Sequence, residues 1–203
     1  MSLALPRVIG HRGAARHAPE NTLAGLAAAR RLGLDWVEFD VMLSGDGHPV
    51  LLHDDSLART TGLERLLCDM PLAEVERLDA GAWFGPAFAG QRVPTLAATF
   101  AELARLGLGA NIEIKPAPGQ AAATARATVQ AVKRAWPASL PTPLLSSFEI
   151  ESLDVARDLA PELPRGYLVE ELPADWQATA ARLGCVSVHP WHEPLTLPQV
   201  RHL

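Results

Sequence analysis

The chain has 203 residues, 48% of them hydrophobic, enough to bury one substantial core, and a single domain over 1–203 is expected. A formal net charge of −5 without any basic cluster argues against nucleic acid or an anionic membrane surface as the main partner. Cys68 and Cys185 stand alone, without the paired spacing of a zinc site or redox couple, and read as ordinary free thiols. No run approaches the roughly 20 apolar residues of a membrane span, and no basic segment followed by an apolar run opens the chain. A cytoplasmic protein without stable membrane insertion is expected; the oligomeric state is open.

Strand-like and helical runs alternate along the chain. Residues 7–10 read as a strand that runs into His11-Arg12-Gly13. Asn21 or Thr22 then caps a helix that turns Leu23, Leu26, Ala27 and Leu34 toward a core. Residues 36–43 form the second strand, Ser44-Gly45-Asp46-Gly47 a turn, and 49–53 an extended return that makes a hairpin. The segment 54–94 breaks into short pieces, with a helix near 72–78 and a Gly/Trp/Phe/Pro-rich stretch over 81–90, and predicts an insertion that covers a site. The rhythm then resumes with helices over 95–106, 121–136, 149–159 and 174–183, strands over 109–115, 144–148, 165–169 and 186–189, and a helix beginning at Leu197.

Repeated β/α units with right-handed crossovers build a parallel sheet, open or closed into a barrel. Two strands favour the barrel. In WVEFDVM over 36–42, period-two alternation puts Val37, Phe39 and Val41 on one face and Glu38 and Asp40 on the other. In NIEIK over 111–115, Ile112 and Ile114 oppose Asn111, Glu113 and Lys115. A central strand of an open doubly wound sheet would be apolar on both faces, whereas barrel strands end in a mouth that tolerates charge. Apart from the hairpin return, six barrel strands are readable where closure needs eight, so the chain is expected to fall two β/α units short of a complete TIM barrel.

The polar groups at successive strand ends are His11 and Arg12, Glu38 and Asp40, His53 and Asp54, and Glu113 and Lys115. Burying these acids without partners would cost several kcal/mol or more per ion, so a metal, an anionic ligand or both are expected among them. Three carboxylates and no cysteine suit a hard divalent cation, Mg²⁺ or Ca²⁺. Two histidines supply an acid and a base near neutrality. Arg12 offers phosphate a planar fork and Lys115 a point charge. The set reads as phosphoester cleavage.

HRGAARHAPENT over 11–22, VEFDV over 37–41, HDDSLARTT over 53–61 and NIEIKP over 111–116 together resemble the glycerophosphodiester phosphodiesterases, phospholipase C-like enzymes of glycerol and lipid metabolism. The resemblance spans nearly the whole chain in order and spacing. It implies a TIM barrel with a small insertion after the second strand, matching 54–94. It also implies that Glu38, Asp40 and Glu113 bind the cation, His11 and His53 act as acid and base, and Arg12 and Lys115 hold the phosphate of a small glycerophosphodiester. Glycerol 3-phosphate and an alcohol would be the products, by attack of the glycerol 2-hydroxyl on phosphorus and later opening of a cyclic phosphate by water. Family members usually continue into a strand with an aromatic residue and an asparagine, then one ending in an Asp-rich turn; neither follows Leu203.

Alternatives remain at this stage. Taken alone, Glu38 with Asp40 reads as an exposed strand face, Glu113 with Lys115 as a surface ion pair, and Arg12 as a structural partner of Glu20 or Glu38. Asn21 reads as a helix cap, His17, His48, His192 and His202 as solvated, and His189 as lining the mouth or structural. Trp83 and Phe84 would pack the insertion or touch a headgroup; Ser146 and Ser147 would bond substrate but lack a nucleophile setting. A lysophospholipid or sphingomyelin-type phosphodiesterase, a noncatalytic phosphate-ester binding domain and, more distantly, a sugar isomerase or aldolase barrel stand as competing functions.

Overall fold

The computed structural model describes residues 5–202. Helix α1 (Leu23–Arg31) leads into β1 (Trp36–Leu43) and the antiparallel return β2 (Pro49–Leu51). After the short helices α2 (Ala58–Thr61) and α3 (Leu72–Val75), β/α alternation resumes: α4 (Leu96–Leu106), β3 (Gly109–Ile114), α5 (Ala121–Ala135), β4 (Leu144–Ser147), α6 (Ile150–Leu159), β5 (Arg165–Val169), α7 (Trp176–Leu183), β6 (Ser187–Pro190) and α8 (Leu197–His202). The sheet order is β2-β1-β3-β4-β5-β6, with every pair parallel except β1 with β2. Among the described residues the sheet is open. The expected strand over 7–10 shrinks to a single parallel bridge between Gly10 and Val37, and Val8 is left exposed.

The alternation read from β1 is what drives this packing. Val37, Phe39 and Val41 are fully buried with Leu26 of α1, Phe100 and Leu103 of α4, Ile112 of β3 and Val129 of α5. Each such side chain contributes about 1.5–3 kcal/mol by leaving water. Helix starts follow local chemistry: Thr22 Oγ1 accepts from the Gly25 amide and Thr95 Oγ1 from the Ala98 amide, each at 3.1 Å. Thr22 therefore caps α1 alone, and Asn21 is released for another task. Gly107 and Gly184 close α4 and α7 at φ 67° and 64°, the left-handed conformation glycine adopts without strain.

Arg165, at the start of β5, is buried, and among the described residues it forms no ion pair with a carboxylate. Its guanidinium donates to the Leu183, Ala160, Leu163 and Gly184 carbonyls at 3.1, 3.2, 2.7 and 3.2 Å, where α6 and α7 end. One side chain thus satisfies carbonyls that two helix C-termini leave open and complements both dipoles.

Leu57, Leu67, Met70, Val75, Ala80 and Val93 of the 54–94 segment pack with Met42, Val50 and Leu52 of the hairpin as a second cluster. Phe84 meets Trp83 and Phe88 edge to face and the Trp83 indole donates to the Ala80 carbonyl, while Phe88 also packs against the main core, so these rings serve packing within the segment and its seat on the sheet. The helix expected near 72–78 is only Leu72–Val75. His17, His48 and His192 are exposed, and the side chain of His202 lies outside the described residues. No helix among the described residues is long and apolar enough to cross a membrane.

Candidate active site

The register of β1 on β3 builds the acidic centre. Glu38 pairs with Asn111 and Asp40 with Glu113, so the inward faces of neighbouring strands meet side by side. One carboxylate oxygen from each of Glu38, Asp40 and Glu113 lies within 4.8 Å of the other two. Asp40 and Glu113 are buried, and the Glu38 side chain is 13% exposed. Burial, then the negative charge of Asp40, raises the Glu38 carboxyl well above its ordinary range. The same two causes push Glu113 up to about 7, against the pull of Lys115.

These groups fit a cation. Among the described residues Glu38 Oε1 and Glu113 Oε1 are buried without a hydrogen-bond partner, and Lys115 Nζ stands 3.5 Å from the latter. Three crowded carboxylates with open lone pairs form an all-oxygen donor set suited to a hard divalent ion.

The turn after Gly10 carries His11 and Arg12 over these acids. Arg12 adopts φ 49°, unusual for a non-glycine residue, and is held there from several sides. Its amide donates to Glu38 Oε2 at 2.9 Å, its carbonyl accepts from the Asn21 amide at 3.1 Å, and the next amide, Gly13, donates to the Glu38 carbonyl at 3.0 Å. Gly13 has no substitute, since a Cβ would lie 2.7 Å from the Gly25 carbonyl carbon of α1. The Arg12 guanidinium donates to Glu20 Oε1 at 3.0 Å and sits 3.5 Å from Asp40 Oδ2. His11 Nε2 is 3.9 Å from Glu38 Oε2 on a side chain 70% exposed. Partial desolvation and then the Arg12 charge lower the His11 pKa from its ordinary value.

His53 reaches the site on the hairpin return expected over 49–53: it follows β2, which runs back antiparallel from the top of β1. Its Nδ1 lies 2.6 Å from Asp54 Oδ1. A cavity of about 920 Å³ is lined by His11, Arg12, Glu38, His53, Glu113 and Lys115, with Asp40 buried just behind. All seven residues singled out in the sequence therefore converge. His189 lines the same cavity, 2.8 Å from Ser187 Oγ, and burial lowers its pKa. Ser147 Oγ donates to the Ile114 carbonyl at 2.6 Å and accepts from the Glu149 amide at 3.1 Å, a structural use. Ser146 is fully buried.

The profile of the glycerophosphoryl diester phosphodiesterase family matches residues 11–202. The chain belongs to that family. It is 37% identical over 186 residues to a glycerophosphodiester phosphodiesterase of Caldanaerobacter subterraneus, covering 91% of this chain and 75% of that one. Against a putative glycerophosphodiester phosphodiesterase of Bacillus subtilis the identity is also 37%, over 79% of this chain and 65% of the relative. Among solved structures, an Oleispira antarctica phosphodiesterase in complex with the product sn-glycerol-3-phosphate superposes with a TM-score of 0.94 at 44% identity, over 98% of this chain and 80% of that one. A putative glycerophosphoryl diester phosphodiesterase of Silicibacter pomeroyi gives a TM-score of 0.83 at 27% identity, over 98% and 79% of the two chains. Membership makes the chain a glycerophosphodiester phosphodiesterase, and its parallel β/α wall is the TIM-barrel type of the family.

Within this phosphodiesterase the sequence reading missed several contributors. Asn21 reaches back to Asp40 rather than capping α1. Arg59, from the irregular segment, donates to both Glu20 and Asp54. The signal for Asn21 was present, because two cap-forming residues stand in succession and one helix start uses one.

Proposed function

We propose that the chain cleaves glycerophosphodiesters to glycerol 3-phosphate and an alcohol by His/His acid-base catalysis, with Glu38, Asp40 and Glu113 holding Mg²⁺ or Ca²⁺ and Arg12 and Lys115 receiving the phosphate. The observation that carries this reading is the meeting of three carboxylates within 4.8 Å at a cavity that both imidazoles and both cations line. The domain reading follows: residues 1–203 act as one phosphodiesterase unit, with 54–94 an insertion beside the mouth.

In the two-step route that the family resemblance implies, one imidazole takes the proton of the glycerol 2-hydroxyl as that oxygen attacks phosphorus, and the other gives a proton to the departing alcohol. Water then opens the cyclic phosphate with the two roles exchanged. His53 suits either role, because its Nδ1 is engaged by Asp54 and its Nε2 is left for the cavity. Arg12 and Lys115 stand 3.5 and 3.9 Å from Asp40 and offer positive charge where phosphoryl oxygens become more negative. A bound divalent cation would add Lewis-acid stabilisation of that charge and acidify a hydroxyl. The product named for the Oleispira antarctica relative supports glycerol 3-phosphate as the product here.

The test is glycerol 3-phosphate release from glycerophosphocholine and glycerophosphoethanolamine with Mg²⁺, Ca²⁺ or chelator. Release is expected with a cation only, falling by about 100-fold or more in Glu38→Gln. Tight diester binding by cation-loaded protein without turnover would instead make it a binding domain, and faster cleavage of long-chain lysophospholipids would move the substrate class.

A further inference from the structure

Asp54 enters the scheme above only as the partner of His53 Nδ1 and Arg59 not at all, yet together they join its parts. Arg59 Nε donates to Asp54 Oδ2 at 2.6 Å, while its two terminal nitrogens donate to Glu20 Oε2 and Oε1 at 2.8 and 2.7 Å. Asp54 Oδ1 faces His53 Nδ1, and Glu20 Oε1 also accepts from Arg12 Nη1. One planar guanidinium therefore spans two carboxylates, one of which meets an imidazole and the other a second guanidinium. Lysine has no such fork. The Glu20 side chain is 10% exposed and that of Arg12 is 18% exposed, so water competes little for that end of the chain.

The chemistry at the other end is directional. An ionised carboxylate only accepts, so its contact with Nδ1 calls for the proton there and, in the neutral imidazole, leaves Nε2 bare toward the cavity. Asp54 stays ionised: burial raises its carboxyl, but the bonds from Arg59 and His53 outweigh that and bring it down to about 2. By occupying Oδ2, Arg59 fixes the rotation of the carboxylate and so the plane in which Oδ1 meets the ring.

We propose that Asp54 and Arg59 are positioning residues of this phosphodiesterase: Arg59 locks Asp54 so that it holds His53 as the Nδ1–H tautomer, and the same side chain fixes the Glu20 carboxylate that aligns Arg12. The proposal rests on the reading of His53 and Arg12 given above. A purely structural tie between α2 and the turn before α1 would use the same hydrogen bonds but would not govern where the imidazole proton sits.

The experiment is imidazole ¹⁵N–¹H correlation on the whole metal-free chain labelled at histidine, with His53 assigned through His53→Gln, alongside steady-state hydrolysis of glycerophosphocholine. Wild-type His53 is expected to carry its proton on Nδ1, and Asp54→Asn and Arg59→Gln to move it toward Nε2. In Asp54→Asn, kcat is expected to fall about 10- to 100-fold with KM changed less than about 3-fold, a smaller loss than the roughly 10⁴-fold of a fully buried triad carboxylate, because the His53 side chain is 26% exposed. Arg59→Lys keeps a charge on a side chain 43% exposed and carries the test if Asp54→Asn misfolds; it is expected to shift the proton as Arg59→Gln does. An Nε2–H tautomer in the wild type, or an unchanged tautomer in the variants, overturns the proposal. If the proton moves as expected but wild-type protein releases no phosphomonoester, the assignment of the reaction fails and tautomer control by Asp54 stands.

Discussion

Asn21 holds Asp40 by side chain and backbone at once: its Nδ2 donates to Asp40 Oδ2 at 2.8 Å while its Oδ1 accepts from the Asp40 amide at 3.2 Å. Only a carboxamide both donates and accepts across that span, and asparagine also tolerates the left-handed φ of 53° found there. If Asp40 holds a cation as proposed, Asn21→Ala is expected to weaken divalent-cation binding about 10- to 100-fold, as loss of an outer partner of a ligand does. Calorimetric titration checks this, and equal affinities would show that Asp40 orients itself.

Glu38 and Glu113 carry raised pKa values in the metal-free chain, so the cation binding proposed for them would displace protons. For Glu113 the folded value, about 7, exceeds the ordinary 4.5. The folded chain then holds more protons than the unfolded one across that window, so metal-free stability is greatest below it and falls as pH rises through about 7. Affinity for the cation should climb over the same range and level off above it. Titration in buffers of different ionisation enthalpy should show more protons released at about pH 6 than at about pH 8, with part of the release absent in Glu113→Gln.

Arg165→Met is expected to destabilise the fold by about 3 kcal/mol, because four carbonyls near two helix ends lose the guanidinium as a donor and, among the described residues, only that of Ala160 keeps another, the Leu163 amide. For a chain of this size that corresponds to a fall in Tm of roughly 10 °C. Thermal unfolding measures it, and cation affinity should be unaffected, since the residue begins β5, away from the cavity.

The low pKa of Asp54 has the opposite sign to that of Glu113. Its folded value of about 2 lies below the ordinary 3.8, so its pairing with Arg59 and His53 stabilises the fold above that ordinary value and is lost as pH falls toward 2. The difference in unfolding free energy between wild type and Asp54→Asn should therefore narrow between about pH 5 and about pH 2. A constant gap would assign the effect of the substitution to packing.

Much of the architecture was readable because burial in a strand has period two. The alternation of Val37, Phe39 and Val41 with Glu38 and Asp40 announced both the core and the acidic face, and β1 spans the residues expected. What pairs with what was hidden. Nothing local to WVEFDVM or NIEIK says that Asp40 lies opposite Glu113, since register is settled by the packing of α4 and α5 across the pair. Arg59 was invisible for a related reason: it belongs to a stretch without periodicity, and its partner Glu20 is 39 residues away. Asn21 was misread because capping is a local rule and its real bond is not local.

The tight turn between β1 and β2 is closed by Ser44, whose amide donates to the His48 carbonyl at 3.0 Å and whose hydroxyl bonds Asp46 Oδ1 at 2.6 Å. With Val41 opposite Leu51, that turn also decides which residue comes back to the level of the carboxylates. A slip of one position would present Leu52 or Asp54 where His53 stands and turn the His53 side chain to the other face. The spacing between the two imidazoles is thus measured out by a small knot of hydrogen bonds that touches neither of them, and a loop with no chemistry of its own acts as the ruler of the reaction proposed for them.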